Sequence, residues 1–109
     1  MLVGIMRIRL HLPFSLSLKE KRSPLKSLIA NLQNRFKCSV AEVDDHDLHQ
    51  VTTIGISFVA TDQAIYDRQK TAIQKHLETN RDFSVLEIKS RRINANKHNT
   101  ESDEYTGVQ

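Results

Sequence analysis

LVGIMRIRLHL, from Leu2 to Leu12, alternates with a period of two. Leu2, Met6, Ile8, Leu10 and Leu12 fall on one side, and Val3, Ile5, Arg7, Arg9 and His11 on the other. That is the pattern of a β-strand with one buried and one open face. Downstream the period changes. In Pro24–Lys37, Leu25, Leu28, Ile29, Leu32 and Phe36 form a single stripe, as on an amphipathic helix. Ser23 as N-cap and Pro24 at the first helical position mark its start, after a loop from Pro13 to Arg22. Cys38–Val43 reads as a short strand, and DDHDLH (Asp44–His49) as a turn or loop.

The second half repeats the order without repeating the sequence. QVTTIGISFVAT, Gln50–Thr61, is rich in β-branched residues; Thr52, Ile54, Ile56, Phe58 and Ala60 point to a core, and Thr53, Gly55, Ser57 and Val59 away from it. Thr61 or Asp62 caps a second helix running to about Thr79, with Ile65, Ala72, Ile73 and Leu77 inward and Asn80 as a left-handed stop. Phe83–Ile93 is the last strand. The order βαββαβ predicts a ferredoxin-like α+β sandwich: a four-stranded antiparallel sheet with two helices on one face. Right-handed crossovers put the first and third strands at its centre. One domain over residues 1–93 is expected, followed by a polar, patternless and disordered tail over 94–109.

Composition narrows the class. With 109 residues, 39% hydrophobic and 27% charged, the chain reads as an ordinary soluble domain. No apolar run approaches the roughly 20 residues that cross a bilayer. The amino end is broken by Arg7 and Arg9 and lacks a cleavage site, so it reads as a strand and not as a signal peptide. Cys38 is the only cysteine, which excludes an internal disulfide. A cytoplasmic protein is the expectation. Net charge is +3, but residues 1–37 hold eight Lys or Arg against Glu20 alone, while residues 38–62 hold five acids and no Lys or Arg. Such asymmetry points to one basic surface.

SLKEKRSPLKSLIANLQNRF, followed by SVAEVDDHDLHQ, resembles the YlxP-like family of small bacterial proteins (domain of unknown function 503). The resemblance runs from Leu2 to about Ile93 and implies the same ferredoxin-like fold. It implies no established activity and supplies no catalytic residues. Genes of that family commonly lie beside those for translation initiation factor two and ribosome-binding factor A, which implies a ribosomal or RNA-associated role. One departure is His49, where many relatives carry an aromatic residue.

The candidate site comes from the residues themselves. LSLKEKRSPLK, Leu16–Lys26, places Lys19, Lys21, Arg22 and Lys26 around the predicted helix start at Ser23. Free N–H groups and the positive dipole end there favour an anion, and cations oppose that dipole unless a phosphate lies among them. Arg7 and Arg9 on the open sheet face would adjoin Lys89 and Arg91 from the last strand. Together they predict a platform for the phosphate backbone of ribosomal or other structured RNA. No aromatic occupies the outward positions Val3, Ile5, Arg7, Thr53, Gly55 and Ser57, so base stacking on the sheet is disfavoured. The plainer reading is a solvated loop whose lysines lie over Leu16 and Leu18. The alternatives are a homodimer packed through Val3, Ile5, Val59 and Val85, and a small-anion sensor at Ser23.

DDHDLH lacks the glycine and glutamate of a calcium loop, and His46 and His49 would need a further ligand for zinc, so no metal is expected. There is no GxxxxGK[ST] or GxGxxG. Cys38, His76 and the serines at 15, 17 and 23 have no catalytic context. A non-enzyme without cofactor is the expectation.

Overall fold

The computed structural model describes residues 1–95. Its elements are β1 (Leu2–His11), α1 (Leu18–Phe36), β2 (Ser39–Asp44), β3 (Val51–Ala60), α2 (Gln63–Glu78) and β4 (Ser84–Asn94). The sheet order is β2-β3-β1-β4, every pair antiparallel, with β1 and β3 central as the crossover rule requires. The architecture is the ferredoxin-like sandwich. β4 runs through Asn94, and Ala95 is buried, its N–H donating to the Met1 carbonyl at 2.9 Å. β4 thus extends one residue past the strand end expected at Ile93. The tail from residue 96 onward lies outside the described residues.

The core lies between the sheet and the helices. Met6, Ile8, Leu10, Leu12, Ile54, Ile56 and Phe58 meet Leu25, Leu28, Leu32, Ile73 and Leu77 there. On α2 the inward stripe begins at Tyr66, not at Ile65, which is 40% exposed. Tyr66 stacks on Phe58 with centroids 5.5 Å apart, a larger apolar contact than an isoleucine would make. Gly4 faces Phe58 across the β1–β3 ladder, and a Cβ there would come within 2.3 Å of the ring. Glycine is what lets the ring lie against β1.

The start of α1 corrects the sequence reading. The helix begins at Leu18, with Ser17 as N-cap: the Ser17 hydroxyl accepts from the Glu20 N–H (3.1 Å), and the Glu20 carboxylate accepts from the Leu16 N–H (3.0 Å). This is a capping-box arrangement displaced by one residue at its return bond. Pro24 therefore sits inside the helix, and the Glu20 carbonyl loses its i+4 donor there. The helix ends at Lys37, whose left-handed backbone (φ 49°) lets its N–H reach the Gln33 carbonyl at 3.1 Å.

Candidate nucleic-acid interface

Four of the predicted cations already have carboxylate partners. Lys21 lies on the buried side of α1, its side chain only 3% exposed. Its ammonium donates to the carbonyls of Asp45 (2.8 Å) and Leu48 (2.7 Å) and pairs with the Glu42 carboxylate at 2.8 Å. Glu42 also accepts from the Thr52 hydroxyl at 2.7 Å. Lys21 is thus a clasp that ties the β2–β3 loop to α1, and it is not a ligand contact. A buried ammonium needs such a complete set of acceptors.

The same loop neutralises the strand arginines. Asp45 has φ 63°, which turns the chain back over the open sheet face. Arg7 reaches Asp44 at 3.0 Å, and Arg9 reaches Asp45 at 3.2 Å. Asp45 also accepts from the Thr53 hydroxyl, and Thr53 is covered although it points to the outward face. The Thr53 hydroxyl and then the Arg9 guanidinium hold the Asp45 carboxyl below the usual aspartate range. Lys89 lies 3.7 Å from Glu87 on its own strand. Arg91 is exposed beside it and makes no ion pair among the described residues.

The platform expected from sequence is therefore divided. Arg7, Arg9, Lys89 and Arg91 lie on the open face of the sheet, and α1 covers the other face. Ser23 is not at a helix start, and the N–H groups around it belong to the helical ladder. The small-anion sensor expected at Ser23 therefore has no free helix N-terminus there. Val85 is not on the open face either: a bulge at Leu86 pairs Val85 with Leu10 and turns it to the core.

What remains together is a stripe on α1. Lys19, Arg22 and Lys26 are spaced i, i+3, i+7, so they share one helix face. All three are exposed, and none makes an ion pair among the described residues. Lys19 and Lys26 look away from the side that buries Lys21, Leu25, Leu28 and Leu32, and Arg22 stands at its border, lining a cleft with Lys21, Leu25 and Glu42. At 1.5 Å per residue the stripe is about 10 Å long. Composition and charge along the chain do not separate these residues from Lys21. The separating signal was SLKE at 17–20, which sets the helix start and with it the face of each cation.

The chain matches the sequence profile of the family described as "Protein of unknown function (DUF503)" over residues 3–90. It belongs to the DUF503 family. A relative, "Uncharacterized protein YlxP" of Bacillus subtilis (strain 168), is 36% identical over 53 residues, which is 49% of this chain and 58% of that protein. The LKEKRS and AEVDD patterns by which this chain resembles the YlxP-like family are, in the structure, the two halves of the clasp: Lys21 from the first, Glu42 and Asp45 from the second. Those patterns therefore report architecture. Among the described residues no group of three His, Cys, Asp or Glu side chains is arranged for a metal ion, and no helix is long and apolar enough to cross a membrane.

Proposed function

We propose that this DUF503 protein is a non-catalytic binding protein that holds the phosphate backbone of structured RNA along Lys19, Arg22 and Lys26. One observation carries the reading: of the cations grouped near the start of α1, these three are the exposed ones without carboxylate partners among the described residues. Lys19 stands in the first helical turn, where a positive charge opposes the helix dipole by about 0.3–1 kcal/mol. A phosphate lying along the stripe reverses that sign.

The test is charge reversal with an internal control. Lys19→Glu, Arg22→Glu and Lys26→Glu together should abolish binding to ribosomal RNA fragments measured by filter retention. Arg7→Gln with Arg9→Gln should leave it nearly intact, since those guanidiniums are engaged by Asp44 and Asp45. Undiminished binding in the triple variant rejects the stripe.

A second reading, a homodimer, has its own observation. Along the open sheet face Val59 is 68%, Val43 51% and Ile5 39% exposed, beside a shallow groove of about 340 Å³ lined by Ile5, Ala41, Val43, Gly55 and Ser57. Sedimentation equilibrium distinguishes the readings: a tight dimer broken by Val59→Lys supports the second.

A further inference from the structure

The loop between β1 and α1 presents an aromatic ring to solvent. Phe14 is 50% and Leu16 73% exposed, on either side of Ser15, which is wholly buried. The loop backbone is pinned: the Ser15 N–H donates to the Leu12 carbonyl (3.2 Å), the Ser15 hydroxyl to the Ser17 carbonyl (3.1 Å), and the Gln50 amide to the Pro13 carbonyl (3.4 Å). Of the other phenylalanines, Phe58 and Phe83 are buried, and Phe36 packs edge-on against His76. Phe14 alone among them is held outward, on a loop that leads directly into the cationic stripe. At the start of the same helix Leu18 and Arg22 line a cleft of about 170 Å³ together with Lys21, Leu25, Glu42 and His46.

An exposed ring on the loop that enters a ladder of cations suits an unpaired strand. A-form duplexes keep their bases stacked inside and offer only phosphates and sugars at this height, which would leave Phe14 and Leu16 facing charge. An unpaired nucleotide offers a π-face to the ring and a phosphate to the lysines together. We infer that the RNA segment held here is single-stranded, a loop, bulge or end, with one base lying on Phe14 while its backbone follows Lys19, Arg22 and Lys26. This inference rests on the RNA-backbone reading above and adds the class of RNA to it.

Fluorescence anisotropy with a short oligouridine, an RNA duplex of equal phosphate count and vesicles of anionic phospholipid tests it. The protein should prefer the single strand. Phe14→Ala should weaken single-strand binding by roughly 5- to 150-fold, as for loss of one base–aromatic stack, and leave duplex binding unchanged. Phe14→Tyr should restore it. Equal affinity for both RNAs with no effect of Phe14→Ala overturns this inference and leaves the backbone reading standing. Binding to neither RNA overturns both, and binding to the vesicles alone reassigns the ring to a lipid surface.

Discussion

Replacing Lys21 with methionine removes the ammonium while keeping an unbranched stem of similar length, so the stability change isolates the clasp. Three acceptors lose their donor: the carbonyls of Asp45 and Leu48 and the Glu42 carboxylate. Removing one partner of a buried ion pair costs about 3–5 kcal/mol. Glu42 retains the Thr52 hydroxyl and its side chain is 16% exposed, so the lower end applies, about 3 kcal/mol. For a domain of this size that lowers Tm by about 12–24 °C. Urea denaturation followed by circular dichroism should show a reduced midpoint with an unchanged slope. Lys21→Met combined with Glu42→Leu should recover about 1–3 kcal/mol, because the stranded carboxylate is then gone. A single Lys21→Met variant within about 0.5 kcal/mol of wild type would refute the clasp.

Three further outcomes follow from local geometry. Ser17→Ala should cost about 1 kcal/mol and Ser23→Ala almost nothing, which urea midpoints will show, since only Ser17 caps α1. Gly4→Ala forces a methyl into the Phe58 ring and should cost about 1–3 kcal/mol by the same measurement, partly relieved by adding Phe58→Leu. His76 is held below the ordinary imidazole range by burial and then by nearby Arg35, and its Nε2 is buried without a hydrogen-bond partner among the described residues. The unfolded chain therefore takes up a proton more readily at this site. Its contribution to stability is complete above pH 6.5 and lost as pH falls through the lowered folded value. His76→Phe should flatten the stability profile on the acid side of that point, and an unchanged profile would exclude His76 as its source.

The strands and the buried face of the sheet were legible because a period of two leaves little choice when one face is apolar. β1 and β3 lie within Leu2–Leu12 and Gln50–Thr61 with the expected alternation of faces, except that Thr53 on the outward side is covered by Asp45. The start of α1 was not, because Ser23–Pro24 is a strong local start signal, while the signal that prevails, SLKE, lies six residues earlier. A proline inside the helix is tolerated where tertiary contacts from Lys21 and Leu25 hold both sides of it. The division of the basic residues was not legible either. It depends on a left-handed Asp45, a non-glycine residue whose conformation is stabilised by Thr53 and Arg9 from other strands. Charge counts along the chain showed an excess of cations in the first third, but they could not show which carboxylates would fold back over Arg7 and Arg9. Tyr66 displaced Ile65 from the core for a packing reason, the ring of Phe58, that periodicity alone does not contain.

The salt dependence of RNA affinity tests the central claim most directly. Three single-strand phosphate contacts predict a log–log slope of about −2 for the wild type, falling by about 0.7 for each of Lys19, Arg22 and Lys26 replaced by glutamine. A slope that stays the same in all three variants, or an affinity indifferent to salt, would contradict it.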